Sequence, residues 1–72
     1  MRVNFYLMEN DKQFFAEMPC RLFRGDGFYL DIFKQYNEEK DQLQQWVESV
    51  YFEHDEIGIY QRAYLTTHRI YL

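Results

Sequence analysis

Val3, Phe5 and Leu7 alternate with Asn4, Tyr6 and Met8. That is the period of a strand with one face toward a core. The cluster "ENDK" (9–12) reads as a polar turn. "QFFAEM" (13–18) reads as the returning strand of a hairpin, with Phe15 and one of its neighbours expected to face the core. Pro19 has no N–H to give to a ladder, so regular pairing should stop there. "FYLDIF" (28–33) is rich in strand formers and predicts a further strand.

The pattern changes at "NEEKDQLQQ" (37–45). Asn37 is a good N-cap, and Glu38 and Glu39 suit the positive end of a helix dipole. A helix is therefore expected from about residue 38. Its end has two readings. Leu43, Trp46, Val47, Val50 and Tyr51 form an amphipathic stripe that would carry the helix to about residue 53. Alternatively, the helix stops near Gln45 and "WVESVYFEH" is a strand, with Trp46, Val50 and Phe52 on one face. "DEIG" (55–58) is then a hairpin turn and "IYQRAYLTT" (59–67) the partner strand. The density of β-branched and aromatic residues from 46 to 52 tips the balance toward the strand. The tail "HRIYL" alternates again and would either extend the last strand or reach another subunit. The expected fold is α+β and mainly antiparallel. It is a four- or five-stranded sheet or a partly open small barrel, with one helix over about residues 38–45 or, in the longer reading, to 53.

Between Phe23 and Phe28 lies Arg24-Gly25-Asp26-Gly27. The tripeptide matches integrin ligands, but three residues recur by chance and no secretion signal accompanies them. A phosphate loop would need Gly-x-x-x-x-Gly-Lys-Ser/Thr, and the acid would repel phosphate. A calcium loop would need further acids at set positions. The stretch reads instead as a tight turn, because both glycines tolerate positive φ and Asp26 can bond nearby backbone.

"MPCRLFRGDGFYL" resembles small SH3-like barrels and β-rich proteins of bacteria and phage, many of them uncharacterised. In these a strand ends at Pro, a basic residue and Gly-Asp follow, and an apolar strand resumes. The matching positions are Pro19, Arg21, Gly25, Asp26 and Leu30. "SVYFEHDEIGIYQRAYL" (49–65) is similar to the closing hairpin of such proteins. The resemblance covers about half the chain and implies a fold class, not an activity.

With 72 residues the chain is expected to be one domain, too small to bury a generous core. Seven Phe, seven Tyr and one Trp compensate, yet so many rings exceed what this core can hide. Some should lie at the surface, where an aromatic cluster is a candidate contact area. The net charge of −4 disfavours sequence-independent nucleic-acid binding. All twelve acids fall within residues 1–56, with clusters at Glu38, Glu39 and Asp41 and at Glu53, Asp55 and Glu56. Such clusters are most often solvated loops. The sharper alternative is an acidic surface that occupies a basic partner.

A lone cysteine, Cys20, cannot form an internal disulfide, and it reads as a small buried apolar residue. No run approaches a membrane span and no apolar signal segment is visible, so a cytoplasmic setting is expected. His54 reads as a polar turn residue, and His68 as exposed or contact-forming. Neither joins Cys20 in a ligand spacing, so no metal or cofactor is expected. Nothing in the spacing places Ser49 or Cys20 in a nucleophilic constellation.

The C-terminal segment carries the most suggestive grouping. Tyr60, Arg62 and Tyr64 share one face of a strand, and His68, Arg69 and Tyr71 follow. Tyr and Arg are enriched in binding hot spots. The expectation is a non-enzymatic protein-interaction module whose partner is another protein or a second copy. The alternative is a phage-type acidic inhibitor or decoy acting through Glu38, Glu39, Asp41, Glu53, Asp55 and Glu56. Single-strand nucleic-acid binding by the aromatic-basic strand is a third, weaker reading.

Overall fold

The computed structural model describes residues 1–29, 31–35 and 44–71. Its elements are β1 (Arg2–Leu7), β2 (Lys12–Glu17), β3 (Gly27–Tyr29), β4 (Gln44–His54) and β5 (Ile59–Thr66), with a short 3-10 helix at Asp31–Gln35. The five strands form one curled sheet in the order β2-β1-β5-β4-β3, a half-barrel. β1 pairs antiparallel with β2, β4 with β3, and β5 with β4, whereas β1 and β5 run parallel. The sheet is thus mixed, with antiparallel pairs in the majority.

Among the described residues the one helical element is the 3-10 turn. The helix expected over 38–45 falls mostly outside the described residues, and Gln44 and Gln45 already belong to β4. Its extension to residue 53 is corrected, because 44–54 is a strand. Pairing along β5 satisfies its backbone groups, which a helical stripe of the same residues would have done internally. "FYLDIF" is corrected as well: β3 ends at Tyr29 and the 3-10 helix begins at Asp31. Phe33, in that 3-10 helix, is fully buried in the core.

Alternation along the strands divides the side chains between two faces. The core face carries Val3, Phe5 and Leu7 of β1, Phe14 of β2, Val47 of β4, and Ala63 and Leu65 of β5. Leu22 and Phe33 cover it from the connecting segments. Phe5, Phe14 and Phe33 pack ring on ring in it, with partly buried Phe28 against Phe5 and Phe33, the contacting centroids 5.4 to 6.3 Å apart. A fully buried Phe stabilises by about 1.5–3 kcal/mol, which is how so short a chain holds a fold. The expectation for β2 is corrected here: Phe14, not Phe15, faces the core. Phe14 lies opposite Phe5 in the ladder, so parity turns Phe15 to the other side.

Leu22 is fixed by an unusual contact. The Gln61 side chain, fully buried, accepts from Leu22 N–H at 2.8 Å and donates to Leu22 C=O at 3.0 Å. The amide thereby supplies the partners that irregular backbone lacks inside a core.

The Arg24-Gly25-Asp26 turn docks on β4. Gly25 N–H donates to Val47 C=O, and Val47 N–H donates to Asp26 C=O, each at 2.8 Å. Asp26 Oδ2 accepts from Phe23 N–H at 2.8 Å, and Arg24 Nε donates to Glu48 C=O at 3.0 Å. Both charged side chains of the tripeptide therefore serve the turn. Gly25 has φ 93°, as expected of a glycine turn. Gly27 does not take positive φ; it sits in β3 opposite Trp46. Glu48 marks a β-bulge, the register slipping between Val47 and Ser49. The bulge reverses parity, so Trp46 pairs with Thr66 on the outer face while Val50 and Phe52 pair with Ala63 and Gln61 on the core side. Trp46, Val50 and Phe52 do not share one face.

Candidate functional site

The outer face of the sheet is assembled from four strands. In the parallel pair, Asn4 lies beside Arg62 and Tyr6 beside Tyr64. In the β4–β5 pair, Tyr51 lies beside Arg62, Glu53 beside Tyr60 and Ser49 beside Tyr64. Phe15 of β2 lies beside Asn4. These residues form two connected groups of rings.

In one group the Tyr64 ring packs against Tyr6, centroids 5.3 Å apart, and edge-on against Tyr51 at 6.1 Å. Tyr64 is half-buried, whereas Tyr51 is 57% exposed. The Tyr6 hydroxyl donates to Asp11 Oδ1, and this bond to a carboxylate pushes the phenol's pKa up. Asp11 sits in the β1–β2 turn with φ 58°, so the turn itself fixes the ring's tip.

In the other group Tyr60 meets Phe15 edge-on at 5.2 Å. The Arg2 guanidinium lies 5.3 Å from the Phe15 centroid and 5.0 Å from the Tyr60 centroid. Arg2 also grips Asp55 through two bonds of 3.1 and 2.8 Å and reaches Gly58 C=O at 3.2 Å. Asp55 accepts in addition from Ile57 N–H and Gly58 N–H. The Arg2 bonds come first among the causes that hold the Asp55 carboxyl down at about 2. The Tyr60 hydroxyl donates to Glu53 at 3.0 Å, and Arg62 stands 3.5 Å from the same carboxylate.

The three β5 residues expected at the contact face are thus brought together on one side, but unequally. Tyr60 is 6% exposed and is a packing residue, while Arg62 and Tyr64 are half-buried. His68, Arg69 and Tyr71 lie past the end of β5 at Thr66, all three exposed, with Arg69 5.3 Å from the Tyr71 ring centroid. The tail does not extend the strand. Its root is held by Glu9, which accepts from Thr66 Oγ1, Thr67 N–H and Thr67 Oγ1 at 2.9–3.1 Å. Burial pushes the Glu9 carboxyl up, but these donors outweigh it and leave the pKa lowered.

Sequence reasoning missed Tyr6, Phe15, Arg2 and Tyr51 as members of this face. The alternation in β1 does mark Arg2 and Tyr6 as facing away from the core. What it could not show is that β1 lies beside β5. Of the six acids in the alternative reading, Glu38, Glu39 and Asp41 lie outside the described residues. Glu53 and Asp55 are neutralised by Arg62 and Arg2, and Glu56 is exposed in the hairpin turn. His54 is exposed, but it closes β4 in a ladder pair with Ile59, which corrects its reading as a turn residue: the turn begins one residue later, at Asp55. Cys20 is exposed, which corrects its placement in the core: it follows Pro19 in the bend after β2, where no strand turns it inward.

No group of three His, Cys, Asp or Glu residues converges for a metal ion among the described residues. No helix among them is long and apolar enough to cross a membrane. Comparison of the chain with family models, curated proteins and solved structures returns no match.

Proposed function

We propose that the chain is a non-enzymatic protein-interaction module that works through the aromatic outer face of its sheet. The observation that carries this reading is the Tyr6–Tyr64–Tyr51 group, three packed rings on the face turned away from the core. Rings held by neighbours lose little side-chain freedom on binding, which favours them as anchors. The ion pairs Arg2–Asp55 and Arg62–Glu53 flank the rings and leave that part of the face electrically balanced. A balanced aromatic face suits a partner bound by burial more than by charge, and such binding persists in salt.

The test is affinity capture from the source lysate with the tagged protein and its Tyr51→Ala variant, at low and high salt. Tyr51 is exposed, so its truncation spares the core. A stoichiometric protein held by the original chain at high salt and lost by Tyr51→Ala supports the reading. Equal capture by both chains, or capture that vanishes with salt, rejects it. The second outcome would point to the acidic alternative.

A further inference from the structure

We infer that the free edge of β2 pairs with β2 of a second copy, antiparallel about a two-fold axis, with Phe15 opposite Phe15. The inference concerns the sheet's edge and does not depend on which protein binds its outer face. Among the described residues no strand covers this edge, since β2 is terminal in the sheet order. The opposite terminal strand, β3, has three residues and offers too short a template. β2 has six, and its pairing with β1 runs without a bulge from Arg2–Glu17 to Leu7–Lys12. A long unbroken edge is a site for strand addition unless something blunts it.

Backbone parity says which groups are free. Met1 and Met18 exchange both of their hydrogen bonds, Met18 N–H to Met1 C=O at 2.8 Å and the Met1 amino group to Met18 C=O. Bonded pairs recur every second residue in an antiparallel ladder. Ala16 and Phe14 therefore turn their backbone groups to β1. Gln13, Phe15 and Glu17 turn theirs to the open edge, and all three side chains are exposed.

A two-fold axis normal to the sheet keeps both outer faces on one side, so opposed residues must share parity. Two registers near the strand centre satisfy this. Centring on Phe14 pairs Gln13 with Phe15 but leaves Glu17 without a strand partner, because Asp11 lies in the turn at φ 58°, outside β2. Centring on Phe15 sets Gln13 opposite Glu17, amide against carboxylate, and takes all three outward-facing residues of β2 into bonded pairs. The second register also joins the two Phe15 rings, each 49% exposed, at the axis. It continues the Phe15–Tyr60 ring contact into the second copy. Such an interface is isologous and closes at two copies.

The experiment is sedimentation equilibrium of the full chain from roughly 10 µM to 1 mM, the range in which a weak pairing shows. A monomer–dimer equilibrium is expected. Gln13→Glu, which sets carboxylates opposite Glu17 twice, should weaken it on the order of tenfold, and Gln13→Lys should strengthen it. Neither exposed substitution should alter far-UV circular dichroism. Phe15→Cys in a Cys20→Ser background should oxidise to a covalent dimer, because a bonded pair sets Cα atoms about 5.5 Å apart, within disulfide reach. A monomer throughout, a dimer indifferent to both Gln13 variants, or no cross-link would overturn the inference. A monomer with Tyr51-dependent capture would sink the edge pairing and leave the face reading standing.

Discussion

Trp46 lies directly across Gly27. A Cβ built on Gly27 would stand 2.4 Å from Trp46 Nε1 and 2.6 Å from Trp46 Cδ1. Gly27 pairs with Trp46 in the β3–β4 ladder, so the indole occupies the space that any other side chain at 27 would need. The ring is rigid and can move only as a whole. Gly27→Ala should therefore destabilise by about 1–3 kcal/mol, the usual cost of overpacking. The double variant Gly27→Ala/Trp46→Ala should show a coupling that offsets part of the two separate losses, read by thermal melts. An unchanged melting temperature in Gly27→Ala would mean the indole swings away freely.

Gly25 is constrained differently. At φ 93° it holds a conformation that β-branched residues avoid, while its N–H bonds Val47 C=O. Gly25→Val should destabilise by roughly 1–2 kcal/mol or more, and Gly25→Asn by less, because Asn tolerates the left-handed region. Equal stability of the three proteins in urea would show that the turn relaxes to another conformation.

The Arg2–Asp55 pair ties the first strand to the β4–β5 turn and should make stability depend on acid pH. The Asp55 pKa falls from 3.8 to about 2 on folding, chiefly through the Arg2 hydrogen bonds. A depressed carboxylate pKa stabilises the fold above the unfolded value, and that contribution fades as pH falls through the folded one. The loss should therefore appear between about pH 4 and pH 2. The carboxylate is open to solvent, so salt should shrink the effect. Urea midpoints across this range should fall less in Asp55→Asn than in the original chain. Parallel curves would remove Asp55 from the account.

Gln61 and Leu22 offer the sharpest test of the core. Gln61→Leu keeps the bulk but strands Leu22 N–H and C=O without partners in a buried site. Each buried orphan costs about 1–3 kcal/mol, so a loss of roughly 2–6 kcal/mol is expected for the two. Chemical denaturation measures it. A loss within the error of the midpoint would mean water reaches Leu22.

The sequence determined the local features whose signals are local. The alternation of Val3, Phe5 and Leu7 marked β1 and its buried face, since one pleat sends every second side chain inward. "DEIG" between two apolar runs marked the β4–β5 hairpin, closed by Asp55 N–H bonding Gly58 C=O at 3.1 Å. The glycine turn at Gly25 and the shared face of Tyr60, Arg62 and Tyr64 were legible for the same reason. Tertiary structure decided everything that depended on which strands meet. The parallel pairing of β1 with β5 joins residues some 58 positions apart, such as Tyr6 and Tyr64, and no pattern within either segment encodes it. The bulge at Glu48 inverts the faces of β4, separating Trp46 from Val50 and delivering Tyr51 to the outer rings. Opposite Phe5, Phe14 rather than Phe15 enters the core, because two adjacent rings of equal hydrophobicity leave the choice to cross-strand register.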